Sequence, residues 1–224
     1  RDHLCICHAT DVRWLSKVPG GGALARRIAG GASALWFLGP TDRDRFLEVA
    51  ALDPSTVATN LGPMPIAPPQ SPGPSRAELR RDLGLDGFTV LFLGRLVPVK
   101  GVDQLLHAAA NLAGPVHIRI AGDGPERERL MALAARLRID ATFEGWVAGE
   151  RKEALLRACD AIVVPSRPEE GLPTVLFEAR SRGLAIVATR VGAIPEALDS
   201  SEWIQLVPPN DPVALGHAID ALRA

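Results

Sequence analysis

The chain has 224 residues and balanced charge, 25 Lys and Arg against 26 Asp and Glu, for a formal net charge of -1. Its 47% hydrophobic and 23% charged content is that of an ordinary α/β globular chain, long enough for one large domain or for one domain plus a piece of another. The balance holds in the first 87 residues too, so no basic face points to nucleic acid, and no apolar run reaches the length of a membrane-spanning helix.

In chain order, Leu4–His8 reads as a strand, Gly22–Ile28 as a helix, Leu35–Leu38 as a strand, Thr41–Val49 as a helix and Thr56–Asn60 as a last strand. These are too few strands for a self-sufficient sheet, so residues 1–61 are expected to be the truncated tail of a Rossmann-like domain. The chain opens at Arg1, without Met and inside a predicted strand, so the natural N-terminus is expected upstream. Cys5, Cys7 and Cys159 form no disulfide framework, which suits a reducing, cytoplasmic setting. Residues 62–75 carry Pro63, Pro65, Pro68, Pro69, Pro72 and Pro74; such a stretch lacks donors and resists helix, and reads as a semi-rigid linker.

Ser75 then caps a predicted helix, Arg76–Leu83. Beyond it, apolar runs alternate with amphipathic stretches. Strands are predicted at Phe88–Leu93, Val116–Ala121, Ala141–Glu144, Ala161–Pro165, Ala185–Thr189 and Ile204–Val207. Between and after them come helices at Val102–Leu112, Pro125–Leu137, Glu150–Ala158, Pro173–Arg182, Ile194–Leu198 and Pro212–Arg223. This alternation means βαβ units and a six-stranded parallel sheet covered on both faces, a complete Rossmann-like domain over residues 76–224.

Open parallel sheets bind ligands beyond the carboxyl ends of their strands, so the loops there hold the candidate chemistry. After the first strand of the larger block, Gly94 lets a ligand approach the backbone while Arg95 and Lys100 place two cations at its mouth. That pair suits a diphosphate, and equally describes solvated surface cations. After the fourth strand, Pro173 suits the first position of a helix whose start, at Thr174 and Val175, offers N–H groups to an anion. Glu170 precedes that start, and Glu178 falls in the helix's second turn among apolar neighbours. A buried acid needs a partner, which a sugar or ribose diol supplies. An ion pair between Glu178 and a nearby Arg, or a Glu170 that assists the helix dipole, explains the same residues.

The ordered series Gly94-Arg-Leu-(x)3-Lys100-Gly101, Gly122-Asp-Gly-Pro-Glu126, Phe143-Glu-Gly145, Pro165-Ser166-Arg167, Glu170-Gly-(x)6-Glu178-Ala179 and Val191-Gly192-(x)2-Pro195-Glu196 resembles glycosyltransferase family 4, retaining enzymes of the GT-B fold. Cys7-His8-Ala9-Thr10-Asp11 resembles that family's His-containing loop, and Asn60-x-Gly62 its entry to the inter-domain linker. The resemblance implies a GT-B protein with a donor domain over residues 76–224, moving a hexose-type sugar from a nucleoside-diphosphate sugar, UDP- or GDP-linked, with no metal or other cofactor. Arg95 and Lys100 would hold the pyrophosphate with help from the Thr174–Val175 backbone, and would stabilise the leaving group. Glu178 would bind the ribose, Glu170 the transferred sugar, Trp146 and Val147 the base, and His8 the donor sugar from the other lobe. The acceptor (glycan, lipid or small molecule) stays open, as does association with the inner face of a membrane through an N-terminal lobe. By the same resemblance this length of chain is expected to be inactive alone. Gly171-Leu172-Pro173 and Gly192-Ala193 depart from the usual pattern, the second at a point of close packing.

Gly122-Asp-Gly124 lacks the third glycine of a dinucleotide fingerprint and follows the wrong strand. Cys5 and Cys7 point one way along a strand and His8 the other, which argues for burial over metal binding. Trp14, Trp36 and Trp203 read as packing residues. Two further readings stand beside the leading one: another enzyme on the same architecture, such as a sugar-nucleotide epimerase or a glucan phosphorylase, and a non-catalytic nucleotide-sugar-binding subunit.

Overall fold

The structure is a computed structural model and describes residues 3–62, 73–198 and 201–223; most of the expected linker, residues 63–72, lies outside them. Its elements run β1 (Leu4–Cys7), α1 (Ala9–Leu15), α2 (Gly21–Gly31), β2 (Ala34–Phe37), α3 (Pro40–Ala50), β3 (Thr59–Leu61), α4 (Arg76–Leu83), β4 (Thr89–Leu93), α5 (Val102–Ala109), β5 (His117–Ala121) and α6 (Arg127–Leu137). Then come β6 (Ala141–Gly145), α7 (Gly149–Ala158), β7 (Ala161–Val164), α8 (Val175–Arg180), β8 (Ala185–Thr189), α9 (Ile194–Ala197), β9 (Ile204–Val207) and α10 (Pro212–Arg223).

The chain divides into two compact units. The first comprises Arg1–Pro65 with Glu170–Pro173 and Gly192–Leu198; the second comprises Ile66–Glu169, Thr174–Val191 and Asp199–Ala224. In the first, β1, β2 and β3 form a parallel sheet in that order. Its core gathers Val12, Leu15, Ala25, Leu35, Phe37 and Phe46, with the two phenylalanine rings 5.5 Å apart. The sequence reading missed α1, whose buried apolar positions among the described residues are Val12 and Leu15, too few for a period to register. It also set the last strand too early: Asp53 accepts from Ser55 N–H at 2.8 Å and winds Pro54–Thr56 into a 3-10 turn, so pairing begins at Thr59.

The second unit carries six parallel strands in the order β6-β5-β4-β7-β8-β9. The order reverses between β4 and β7, and at such a switch point the loops splay apart and leave a crevice. Helices on both faces explain why β7 and β8 are apolar and buried throughout. At the amino ends, Asp160 accepts from Thr89 N–H at 2.8 Å, from Arg76 at 2.5 Å and from Arg80 at 3.0 Å, which ties α4 onto β4. Ser75 caps α4 as expected, exchanging hydrogen bonds with Glu78. α6 starts at Arg127 rather than Pro125, because Glu126 N–H donates to the Leu96 carbonyl at 3.1 Å and this stretch closes onto the β4 loop instead.

Candidate functional site

The loop after β4 is built by its neighbours. Gly94 N–H donates to Ala121 O at 3.0 Å and Leu96 N–H to Asp123 O at 2.8 Å, so the β4 and β5 loops lie backbone to backbone. A Cβ on Gly122 would sit 1.9 Å from Gly94 O, and one on Gly124 2.4 Å from Leu96 O. Those two glycines are therefore required by close packing, which is what the false dinucleotide pattern reflects. From the other side, Arg167 N–H donates to Val99 O at 2.8 Å, its Nε to Pro98 O at 2.9 Å and its Nη2 to Asp103 at 2.6 Å. The loop that presents Arg95 is thus fixed before any ligand arrives.

Above these loops lies a cavity of about 250 Å³ within the second unit. The ends of β4 and β5 contribute Gly94, Arg95, Gly122 and Asp123, the segment after β6 contributes Trp146 and Val147, and α7 adds Lys152. Thr174, Val175 and Glu178 complete it from the start of α8. Seven of the residues singled out in the sequence, from three separate segments, meet in one place: Gly94, Arg95, Trp146, Val147, Thr174, Val175 and Glu178.

The remaining three are not in this lining. Lys100 ends a 3-10 turn, Pro98–Lys100, held by Lys100 N–H to Val97 O at 3.0 Å. Glu170 belongs to the first unit, where its carbonyl accepts from Arg13 at 3.0 Å and its carboxylate from Gly171 N–H at 3.3 Å. His8, also in the first unit, is the N-cap of α1 rather than part of a loop; its N–H donates to Asp11 at 3.3 Å.

Two expectations about α8 are corrected. The helix starts at Val175 and not at Pro173, its first internal bond being Phe177 N–H to Thr174 O at 3.1 Å, and it ends at Arg180. Glu178 accordingly falls in its first turn. A six-residue helix sums few peptide dipoles, so an anion here gains more from Arg95 and direct N–H groups than from a macrodipole.

Sequence reading missed Lys152. Its Nζ lies 2.6 Å from Glu178 Oε2, so the half-buried acid meets a lysine where an arginine was the alternative considered. Oε2 is buried, so Lys152 is the group that meets its charge. Nothing in the local pattern marks Lys152, which reads as one more cation on an amphipathic helix. Asp123, also in the lining, hydrogen-bonds Gly124 N–H at 2.7 Å.

Other expected features resolve structurally. Burial pushes the thiols of Cys7 and Cys159 up to about 12, with Cys5 adding to the effect at Cys7. Among the described residues no group of three His, Cys, Asp or Glu could hold a metal ion, and no helix is long and apolar enough to cross a membrane. Gly192-Ala193 packs closely after all: Ala193 is buried and its N–H donates to Gly171 O at 3.1 Å. Trp36 donates to Gly62 O at 2.7 Å, but Trp14 and Trp203 are 55% and 63% exposed and do not pack as expected.

Comparison with known proteins agrees with this architecture. Residues 87–224 match the family Glycosyl transferases group 1. A Mycolicibacterium smegmatis protein named GDP-mannose-dependent alpha-(1-6)-phosphatidylinositol monomannoside mannosyltransferase is 31% identical over 97% of this chain and 59% of its own length. A D-inositol 3-phosphate glycosyltransferase of Acidothermus cellulolyticus is 37% identical over 67% of this chain and 37% of its own length. The chain thus spans less than two thirds of these relatives. Among solved structures, Anabaena HepE in complex with UDP and glucose superposes with a TM-score of 0.79 at 23% identity, covering 98% of this chain and 61% of that one. The fold is that of the GT-B proteins, and with its family match over the whole second sheet the chain belongs to the group 1 glycosyltransferases.

Proposed function

We propose that this chain forms the donor-binding part of a retaining, family 4 glycosyltransferase that moves a hexose from a UDP- or GDP-linked sugar to an acceptor. The observation that carries the reading is the convergence of Arg95, Trp146–Val147, Thr174–Val175 and Glu178 on one cavity at the carboxyl ends of β4, β5 and β6. In this reading Arg95 forks onto the diphosphate, with Lys100 as a second cation of the same loop, and Glu178 accepts from the ribose hydroxyls. Trp146 and Val147 border the base. His8 and Glu170 of the first unit contact the transferred sugar. Relatives and structural neighbours support a nucleotide-sugar donor by name, one as GDP-mannose-dependent and another solved with UDP and glucose.

The chemistry asked of the protein is electrostatic. Breaking the bond from the anomeric carbon to the diphosphate oxygen leaves charge on that oxygen, and Arg95 and Lys100 are the cations that stabilise it, preorganised by the backbone bonds around their loop. In a transfer-competent protein containing this chain, retention of anomeric configuration in the product, read by NMR, identifies the retaining course. Donor binding is tested first. In a thermal-shift panel of UDP-glucose, GDP-mannose and ADP-glucose, one nucleotide sugar should stabilise the chain by about 2.7 kcal/mol at a hundred times its Kd. If none of the three moves the melting temperature, the donor site is wrongly assigned.

A further inference from the structure

Lys152 and Glu178 form the one pairing in the cavity lining that sequence reading did not foresee, and the surrounding contacts separate its role from that of an ordinary helix staple. α7 and α8 are already held together without it. Arg182 donates to Glu153 on α7 from Nε at 2.8 Å and Nη2 at 2.6 Å, while its Nη1 donates to the Glu178 carbonyl at 2.8 Å. That cluster is well covered, Arg182 being 10% exposed at its side chain. It fixes the backbone of Glu178 but does not touch the carboxylate, and Lys152 is what meets the carboxylate, 2.6 Å from Oε2. Both side chains line the cavity, with the Glu178 side chain only 17% exposed.

We propose that Lys152 is a positioning residue of the donor site: its contact with Oε2 holds the Glu178 side chain in place at the cavity, so that the nucleotide's ribose diol meets an oriented acceptor. The inference rests on the nucleotide-sugar reading given above and extends it to a residue outside every motif of that reading. The physical case is one of matched demands. A carboxylate held in a partly desolvated pocket to accept hydroxyl hydrogen bonds is costly without a nearby cation. The cation must not consume all of the acceptor's lone pairs, and the close Lys152 contact is to Oε2, which is buried, so that Oε1 is the oxygen left for a ligand's hydroxyls. A lysine, as a compact point charge, supplies this field, whereas a forked guanidinium would occupy the acceptor oxygens.

The experiment uses the 224-residue chain and isothermal titration with UDP and GDP and with their 2′-deoxy and 3′-deoxy counterparts, in the wild type, Lys152→Met and Lys152→Arg. Hydrogen bonds to a charged group are strong enough that the wild type should prefer the ribonucleotide by about tenfold. Lys152→Met should compress that preference to about twofold or less, while the Glu153–Arg182 cluster still joins α7 to α8. Lys152→Arg, which keeps the charge but forks onto the acceptor oxygens, should recover only part of the preference. If Lys152→Met does not fold, Lys152→Gln replaces it. A Met variant that keeps the full ribose preference, or that weakens ribo- and deoxynucleotides equally, overturns the positioning role. A wild type that binds neither UDP nor GDP overturns the underlying donor-site reading instead.

Discussion

Glu144 and Glu178 of the second unit each meet a basic side chain at 2.6 Å, and the difference between them lies in what those partners leave open. Glu144 gives Oε1 to Arg119 and Oε2 to Arg151, both at 2.6 Å, and its side chain is 6% exposed. It lies within a motif of the resemblance yet outside the cavity, and its work is structural. Burial alone would raise its carboxyl, but hydrogen bonds and charge from Arg151 and Arg119 outweigh burial and hold it below the usual carboxylate range. Breaking such a pair leaves Arg119, itself buried, with an uncompensated charge, so Glu144→Gln should destabilise the protein by about 3 kcal/mol near neutral pH. The sign with pH follows from the depressed value. The contribution is present above the ordinary glutamate range near 4.3 and is lost as pH falls through the lower folded value. Urea titrations at pH 7 and at pH 3 should therefore show the gap between wild type and Gln variant narrowing in acid; a constant gap would mean that the ion pairs are not its source. Among the described residues Glu178 meets a single basic side chain, Lys152 at Oε2, and Oε1 is the oxygen a ligand can use.

At the scale of elements, the second sheet was readable because its central strands β4, β7 and β8 are short, buried and mainly apolar runs, the pattern of parallel strands covered on both faces. The helix boundaries erred where backbone groups are committed elsewhere. Pro125 and Pro173 both suit a first helical position, yet Glu126 N–H is used by Leu96 O and α8 waits until Val175. Local pattern cannot see a hydrogen bond to a loop some thirty residues away. For the same reason Arg95 and Glu178 could be picked out from their place at strand ends and helix starts, whereas Lys152 becomes visible only through its contact with α8. Gly122 and Gly124 show the reverse case, a sequence feature that was noticed and discounted but has a tertiary cause. The loops after β4 and β5 approach so closely that Gly122→Ala would push a Cβ to 1.9 Å from Gly94 O at a backbone φ of 148°. Such strain costs about 2 kcal/mol and must move the loop bearing Arg95. The Ala variant should therefore lose both melting temperature and nucleotide affinity together. If the affinity is unchanged once the loss of stability is allowed for, the β5 loop does not set the position of Arg95.

The two units differ in the sheet and core that each holds among the described residues, and that difference should be measurable. The second has a six-stranded sheet and a core that runs from Val90 and Phe92 through Leu105, Ile118 and Leu130 to Ile219. The first has three strands and a smaller core around Phe37 and Phe46, with Leu4, Ile6 and Leu61 of its strands exposed at 52%, 37% and 43%. A parallel sheet is ordinarily covered on both faces, so this one buries less apolar surface for each residue it orders. Stability should then be unequal along the chain, the first unit opening at lower temperature than the second. Every residue lining the candidate donor cavity belongs to the second unit, and a ligand stabilises only the state that binds it. Calorimetry of the chain should consequently resolve two transitions, with saturating UDP or GDP raising the upper one and leaving the lower in place. A single transition that moves as a whole on adding nucleotide would mean that the first unit has no independent stability and that the cavity's loops draw their rigidity from both units together.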